Sequence, residues 1–466
     1  MNVGVRPLVK GTRMKRVTAL DSRRVLLLSS CLLVMMFSWG PSGNTVPGLV
    51  ALLVAALLTW AALFRSTFVS DLDRLRQVER GLLAVVLLTG LILTASNLAS
   101  AFTDLASPLR FAVVSAYTIL GLAGAMPLVG RLPDLKWAFW LFLAVHAALS
   151  VVFLRATPAA VDVQVFLHDG SAALLHGHNP YSMTFPNMYP PQLTKLFYGP
   201  GVVVNGRISY GFPYLPVSLL VAVPGQLLGD VRFSQLIAML VTGMVLRRLA
   251  SDRIGRAAAV LAPLAIPILS GSWTEPTLVA LLACLVLALE RRRHASFAVL
   301  LGLFLVSKQY IGVAIPVIWL IRQSLTRRVL LLGIGVATAV TVPFLLVDPP
   351  SFWKAIVEFQ LVQPFRSDSV SLLVSSVTAF GWPPPWTYGV LPLVGGGLTA
   401  IALALRAPRT PAAFAAGVGL VLLVTILLSK QAFMNYYFLV SGAFLIAAVA
   451  WPTVPVPASP ELEALS

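Results

Sequence analysis

Residues Val46–Phe64 read VPGLVALLVAALLTWAALF, a run that contains no charged side chain. A helix needs about 20 apolar residues to cross the ~30 Å hydrocarbon core of a bilayer, so this run predicts a membrane span. Comparable runs recur between residues 25 and 451, among them 257–270. Hydrophobic residues make up 58% of the 466 positions and charged residues 11%, a balance outside the range of water-soluble domains. The pattern predicts an all-α integral membrane protein with about 12–14 transmembrane helices.

Basic residues give the chain a formal net charge of +17, from 34 Lys and Arg against 17 Asp and Glu. They form short clusters between the apolar runs rather than a basic domain, which argues against a nucleic-acid partner. One cluster lies within residues 1–24, directly before the first span. The positive-inside rule therefore places the N-terminus in the cytoplasm of a multi-pass cell-membrane protein.

The spacing of the apolar runs divides the chain into five parts. We predict a basic cytoplasmic N-terminus (1–24), N-terminal transmembrane helices (25–154), a large outer loop with a re-entrant or interfacial helix (155–230), a C-terminal transmembrane bundle (231–451) that includes a second outer loop (348–387), and a cytoplasmic tail (452–466).

The re-entrant helix is predicted at 212–228, where Pro213, Pro216 and Pro224 interrupt the apolar run. A full crossing there would place Arg247 and Arg248 outside the membrane, against the positive-inside rule. A helix that returns to the outer face removes this conflict.

The tripeptide Ser-Lys-Gln occurs twice, around Lys308 and around Lys430. The apolar runs on either side of Lys308 are too short to cross separately, which predicts an outward-facing break that lines a cavity. A charged residue in a span is costly unless it is paired or hydrated, so such residues are functional candidates. Both lysines predict an anion site, and the alternative is that each extends to the membrane interface. Gln309, Tyr310 and Tyr436 accompany them.

Residues 161–181 of the first outer loop read VDVQVFLHDGSAALLHGHNPY. The apolar spacing predicts a short amphipathic helix that ends before Gly177. Asp162 begins this helix, where its carboxylate can act as a general base on a hydroxyl. The alternative, helix capping by Asp162, is left open. Asp169 lies two turns further on, either paired with Asp162 or solvated.

Three histidines, His168, His176 and His178, lie near these carboxylates. Their spacing is not a strong metal signature, so we expect neither a metal ligand nor a cofactor and interpret them as solvated or substrate-contacting. A divalent metal is the less favoured alternative.

In the second outer loop, residues 359–374 read FQLVQPFRSDSVSLLV. The planar guanidinium of Arg366 can clamp a phosphate. Alternatively, Arg366 and Asp368 form a surface pair that contributes little to stability.

Four segments together resemble the GT-C superfamily of polytopic glycosyltransferases: residues 162–181, FPYLPVSLL at 212–220, the break around Lys308, and KQAFMNYY at 430–437. The likeness is strongest to actinobacterial polyprenyl-phosphate-mannose-dependent α-mannosyltransferases and covers roughly 162–437. In many GT-C members the first large outer loop follows the first helix, whereas five predicted spans precede it here.

The resemblance implies a GT-C-like bundle that transfers a sugar, mannose by analogy, from a polyprenyl-phosphate donor to a lipid-linked or glycan acceptor at the outer face. It implies inverting transfer with Asp162 as the catalytic base. Lys308, Lys430 and Arg366 are then the residues expected to bind the donor phosphate. Candidate substrate contacts are Asp169, His176, His178, Asn179, Tyr181, Gln309, Tyr310, Asp368 and Tyr436.

A secondary transporter or lipid flippase is the competing interpretation, because many spans, outward lysines and a broken hairpin also suit transport. Transporters often carry two related halves with matching breaks. The repeated Ser-Lys-Gln is the only sign of such an internal repeat in the sequence, and its flanking residues are not repeated.

Overall fold

The computed structural model describes residues 22–38, 46–64, 72–102, 106–130, 133–158 and 161–451. The predicted tail (452–466) and most of the predicted N-terminus (1–24) lie outside these residues, so neither prediction is tested.

The described chain is helical apart from three two-residue strands. The α-helices are α1 Ser22–Ser38, α2 Val46–Phe64, α3 Leu72–Ala99, α4 Ser107–Val129, α5 Lys136–Ala156, α6 Asp162–Leu175, α7 Pro191–Phe197, α8 Pro216–Leu227, α9 Arg232–Leu249, α10 Arg253–Ala258, α11 Ile266–Ser270, α12 Glu275–Glu290, α13 His294–Leu305, α14 Arg327–Val347, α15 Pro349–Trp353, α16 Phe359–Leu361, α17 Leu372–Phe380, α18 Val390–Arg406, α19 Pro411–Leu427 and α20 Met434–Ala450.

Shorter elements join the helices. The 3₁₀ segments are Pro180–Ser182, Ala259–Leu261, Gln309–Ser324 and Pro385–Thr387, and one π-helical turn spans Lys354–Glu358. The strands β1 Phe185–Pro186, β2 Val203–Val204 and β3 Arg207–Ile208 form an antiparallel sheet in the order β1-β3-β2.

Five helical stretches in the described residues are long and apolar enough to cross a membrane: Gly81–Ala99, Ser107–Leu128, Lys136–Ala156, Arg327–Val347 and Pro385–Arg406. Four shorter apolar helices accompany them: Gly48–Phe64, His294–Leu305, Pro411–Leu427 and Met434–Ala450. The fold is therefore that of an all-α, multi-pass membrane protein, as the sequence predicts. The predicted number of about 12–14 transmembrane helices stays a prediction.

A sharp bend separates α8 from α9. Each helix alone is too short or too polar to qualify as a span, and the pair qualifies only together, with a 105° angle between them. Gly229 lies in the connection with φ of 95°, and the Ser234 hydroxyl accepts a hydrogen bond from the Gly225 amide at 2.8 Å. The bend falls at the end of the predicted re-entrant helix, and its side of the membrane stays a prediction.

The apolar run 257–270 does not form the single span that its composition suggests. It is divided into the end of α10, the 3₁₀ turn Ala259–Leu261 and the five-residue α11. Pro263 and Pro267 explain the division, because proline lacks the amide hydrogen that an α-helical ladder needs.

The described residues form two hydrophobic cores. The bundle core is formed mainly by the long helices, and the loop core by buried side chains of α6, of residues 181–222 and of residues 352–359. Gly211 allows the backbone to fold tightly over the loop core, since a Cβ there would lie 1.9 Å from the carbonyl oxygen of Tyr181. Trp273 packs against both cores and so joins them.

Charged pairs hold the helix ends that are predicted to be cytoplasmic. Asp134, just before α5, accepts hydrogen bonds from Arg247 at 3.0 Å and from Arg256 at 2.7 Å. Arg23 of α1 forms a bidentate pair with Asp252 at 2.5 and 2.6 Å. These contacts fix α1, α5, α9 and α10 to one another at that end of the bundle.

The contact between α13 and α14 yields a stability prediction with a matched control. A Cβ on Gly302 would lie 2.4 Å from the carbonyl oxygen of Gly333, whereas a Cβ on Gly335 would meet no atom within 4 Å. We expect Gly302→Ala to lower the free energy of unfolding by about 1–3 kcal/mol through overpacking. Gly335→Ala should leave it unchanged or raise it slightly. Thermal unfolding in detergent measures both, and equal melting temperatures would contradict the close approach of the two helices.

Candidate active site

Asp162 is the first residue of α6, and two tyrosines fix it. The N-cap position is occupied by Val161, and no side chain caps this end of the helix. The Asp162 amide donates to the Tyr189 hydroxyl at 3.0 Å, and the Tyr198 hydroxyl donates to Asp162 Oδ2. Because Tyr189 and Tyr198 flank α7, that short helix holds the carboxylate in place.

The carboxyl group of Asp162 has an altered acidity. Burial raises its pKa, while hydrogen bonds from Tyr198 and Tyr189, the Val163 amide and the charge of Arg366 lower it, and the net direction is upward. Burial prevails because a low-dielectric surrounding disfavours the ionised form. A raised pKa brings this carboxylate closer to the range in which a general base works best near neutral pH.

Arg366 lies close enough to Asp162 to affect its pKa. Its guanidinium carbon is 4.1 Å from the ring centre of Phe197 and 4.7 Å from that of Phe433, so two aromatic rings hold it. Asp368 receives two hydrogen bonds from it, at 2.7 and 2.6 Å. The structure thus shows the Arg366–Asp368 pair that the sequence left as an alternative, and a phosphate role for Arg366 stays a prediction.

Lys430 is held beside Arg366 by main-chain pairing. The Arg366 amide donates to the Lys430 carbonyl at 3.2 Å, and the Val370 amide donates to the Ala432 carbonyl at 2.9 Å. The ammonium group of Lys430 donates to the Gln363 carbonyl at 2.5 Å and has no carboxylate partner among the described residues. Burial lowers the pKa of Lys430. The site therefore contains a cation whose charge is not compensated within the described protein.

Lys308 is part of a buried ion pair. Its Nζ lies 2.6 Å from Oε1 of Glu275; Lys308 is 4% exposed and Glu275 is 0% exposed. The same Oε1 also accepts hydrogen bonds from Tyr310 at 3.0 Å and Asn435 at 2.9 Å. The positive charge of Lys308 is therefore already balanced, and its predicted contact with a phosphate remains untested.

Glu275 was not predicted as a site residue, although the sequence carries a signal for it. It is the only acidic residue in the otherwise apolar stretch 257–289, and an ionisable group in such a stretch is a functional candidate with a partner to be found. Tyr198, Tyr214 and Asn435 also went unrecognised as part of the site. Tyr214 and Asn435 lie within the segments 212–220 and 430–437 that carry the resemblance, which is a signal for them, whereas no pattern near Tyr198 points to Asp162.

Tyr214 connects Asp162 with the ion pair. Burial raises its pKa, and the charges of Asp162 and Glu275 each raise it further, so the phenol lies in the field of both carboxylates. Lys308 Nζ stands 4.7 Å from the centre of the Tyr214 ring. The predicted residues Tyr310 and Tyr436 complete this cluster, with ring centres 5.5 Å apart. Tyr214 thus lies between the Asp162 side of the site and the ion pair, because the charges of both carboxylates act on it.

Several predicted substrate contacts have structural roles. The Tyr181 hydroxyl donates to the Tyr214 carbonyl at 2.8 Å from within the loop core, and Asn179 accepts a hydrogen bond from the Tyr181 amide at 3.1 Å. Gln309 donates to the carbonyl oxygens of Pro213 and Ile356 at 2.9 and 3.2 Å. These contacts fix the loop above the bundle, and contact with a substrate stays a prediction for each of the three.

The polar residues at the far end of α6 lie on the surface. His168 Nδ1 lies 2.9 Å from Asp169 Oδ1, so Asp169 pairs with its neighbour rather than with Asp162. His176 Nδ1 contacts the Ala172 carbonyl at 2.7 Å, and His178 is exposed. Among the residues that the structure describes, no three His, Cys, Asp or Glu side chains are grouped closely enough to hold a metal ion.

No protein-family model and no curated protein sequence matches the chain. Among solved structures, the chain is similar to the crystal structure of ArnT from Cupriavidus metallidurans bound to undecaprenyl phosphate, with a TM-score of 0.41 and 19% sequence identity. The match covers 67% of this chain and 60% of the other, less than two thirds of the neighbour's length. At this TM-score the likeness defines neither the fold nor the activity of this chain.

The ion pair yields a prediction about stability. Lys308→Met leaves the Glu275 carboxylate buried without its charged partner, which should lower the free energy of unfolding by roughly 3–5 kcal/mol. The double variant Lys308→Met with Glu275→Leu should recover most of that loss, because both charges are then gone. Lys354→Met is the control, since Lys354 contacts the Tyr210 ring at 4.9 Å and no carboxylate of the described chain. Denaturant unfolding in detergent measures the free energy of unfolding of all three variants. Equal losses of that free energy in Lys308→Met and Lys354→Met would contradict the buried ion pair.

Proposed function

We propose that the protein is a membrane glycosyltransferase that moves a sugar from a polyprenyl-phosphate donor to a lipid-linked or glycan acceptor at the outer face. One observation carries the proposal: the partly buried Asp162 carboxylate, held by two tyrosines, lies within reach of the charge of Arg366, and Arg366 is hydrogen-bonded through its main chain to Lys430. A base next to an anion-binding group is the pair of functions that such a transfer requires.

In the proposed reaction, Asp162 accepts the proton of an acceptor hydroxyl while the hydroxyl oxygen forms a bond to the anomeric carbon. The bond between that carbon and the phosphate oxygen breaks, and polyprenyl phosphate leaves with the electron pair. A single displacement inverts the anomeric configuration. The reaction needs no metal or cofactor, since the proton goes to Asp162 and the charge to the phosphate.

Lys430 and Arg366 are the residues that we assign to the departing phosphate. Fixed charges in a partly dry site stabilise a developing anion more strongly than they would in water. Lys430 has no carboxylate partner in the described chain, and the partner of Arg366, Asp368, is half-exposed and can be displaced. Lys308 contributes less to phosphate binding, because Glu275 already balances its charge.

Mannose is the sugar that we propose, because the loop motif at 162–181 resembles that of mannose-transferring GT-C enzymes. The acceptor is proposed as a membrane glycolipid or glycan on the same ground. Transport is the weaker candidate, since no contact in the described residues favours it over transfer.

Replacement of the base gives the most direct mutational prediction. Asp162→Asn should reduce transfer on the order of a hundredfold or more, because an amide cannot accept the proton. Asp169→Asn is the comparison on the same helix: Asp169 pairs with His168 and is not assigned the proton, so its loss of activity should be much smaller than that of Asp162→Asn. The assay incubates purified protein in lipid with radiolabelled polyprenyl-phosphate mannose and a membrane glycolipid extract.

Near-normal turnover in a folded Asp162→Asn protein would rule out the base assignment. Absence of transfer by the wild type with mannose, arabinose and glucose donors alike would overturn the proposed function. Uptake of a labelled solute into proteoliposomes would then test transport.

The pH dependence of transfer provides a second test. Asp162 acts as a base only when ionised, and its pKa is raised, so the rate should fall as pH decreases through a value above the usual aspartate range. Tyr198→Phe removes a hydrogen bond that stabilises the ionised form, so this acidic limb should move to higher pH. Tyr117→Phe, which removes a hydroxyl that contacts His146 at 2.8 Å between α4 and α5, should leave the limb unchanged. Identical limbs in Tyr198→Phe and the wild type would contradict the role of Tyr198.

A further inference from the structure

Glu275 has one carboxylate oxygen without a hydrogen-bond partner in the described protein. Oε1 accepts three hydrogen bonds, whereas Oε2 is buried and has no partner among the described residues. The hydroxyl of the adjacent Thr274 is likewise buried and unpartnered in that part of the chain. Buried polar groups are nearly always hydrogen-bonded, so two unpaired oxygens on neighbouring residues need an explanation.

A purely structural role does not explain the arrangement. A buried ion pair repays the desolvation of its charges only when further hydrogen bonds satisfy the remaining lone pairs. Here all three donors converge on Oε1 and leave Oε2 unsatisfied. An acceptor left open in this way favours a ligand that brings its own hydroxyl donor.

Two tyrosine hydroxyls near the ion pair are also available. Tyr214 and Tyr436 are only partly buried, and neither hydroxyl donates or accepts a hydrogen bond within the described residues. Lys308 Nζ lies 4.7 Å from the Tyr214 ring centre and 6.0 Å from that of Tyr436. The region around the ion pair therefore offers aromatic faces together with free hydroxyl groups, which suits a polyhydroxylated ring.

The turn before Glu275 ties this region to the catalytic helix. Ser272 is fully buried and has φ of 55°, a left-handed conformation that costs energy in a residue other than glycine. Its hydroxyl donates to Gln164 of α6 at 2.5 Å, two residues beyond Asp162. The backbone conformation that positions Glu275 is thus fixed by the same helix that positions Asp162.

We infer that Glu275 binds a hydroxyl group of the donor sugar through Oε2, flanked by the hydroxyls of Tyr214 and Tyr436. The inference rests on the proposed function and assigns the sugar part of the donor to the Glu275 side of the site. Lys308 holds Glu275 in place through the contact at 2.6 Å, while Lys430 and Arg366 bind the phosphate part. Glu275 is then a residue that distinguishes a sugar-bearing lipid phosphate from the bare lipid phosphate.

The test compares the binding of two lipids to the protein in nanodiscs. One is undecaprenyl phosphate, which carries no sugar, and the other is polyprenyl-phosphate mannose, with the arabinose and glucose forms tested in parallel. Glu275→Gln should weaken binding of the sugar-bearing lipid about tenfold or more, because a hydrogen bond to a charged group is lost. Its binding of undecaprenyl phosphate should change less than about twofold. Asp134→Asn is the matched control, since it removes a buried, arginine-paired carboxylate at the other end of the bundle and should alter neither affinity.

If a folded Glu275→Gln protein bound both lipids equally more weakly than the wild type, or bound both with wild-type affinity, the inference would be overturned and the proposed function would stand. A wild type that binds neither lipid would overturn the proposed function itself. Should Glu275→Gln fail to fold, Tyr214→Phe and Tyr436→Phe retain the ion pair and remove only a hydroxyl. Each substitution should weaken binding of the sugar-bearing lipid about threefold or more. Wild-type affinity in both variants would contradict the inference.

Discussion

The cost of placing an ionised side chain in an apolar interior governs this structure. Burial of an unpaired charge is expensive, and removal of one partner from a buried pair is strongly destabilising. Accordingly, each buried Arg, Lys or Glu in the described residues has an opposite charge beside it. These side chains are Arg23 with Asp252, Arg232 with Asp230, Arg247 with Asp134, and Lys308 with Glu275.

The candidate active site departs from this rule in one specific way. Asp162 has no basic side chain within salt-bridge distance, and Lys430 has no acidic one, in the part of the chain that the structure describes. Both side chains are only partly buried, so these charges are tolerated where a ligand can reach them. The proposed reaction supplies what each lacks, a proton for Asp162 and a phosphate for Lys430. The four pairs named above are thus balanced within the protein, whereas Asp162 and Lys430 are completed by the proposed substrate.

The sequence predicts the helical class, the amphipathic helix that begins at Asp162 and the break at Lys308, because these features depend on local composition and spacing. Lys308 is indeed extended, between α13 and a 3₁₀ segment. Contacts between distant segments could not be predicted in the same way. Glu275 precedes Lys308 by 33 positions and Tyr198 follows Asp162 by 36, and neither separation produces a periodic signal. The prediction of one continuous helix at 257–270 was wrong. The run is hydrophobic enough for a span, but its prolines interrupt the α-helical hydrogen bonds.

The proposed function requires that Asp162, Arg366 and Lys430 surround the reacting atoms of a polyprenyl-phosphate sugar. A cryo-electron microscopy structure of the Asp162→Asn protein with bound polyprenyl-phosphate mannose tests it most directly, since this variant should bind the donor without turning it over. We expect a phosphate in contact with Lys430 and Arg366 and an anomeric carbon that faces residue 162. A donor whose phosphate lies at the Asp134 end of the bundle, or whose sugar points away from residue 162, would contradict the proposed function.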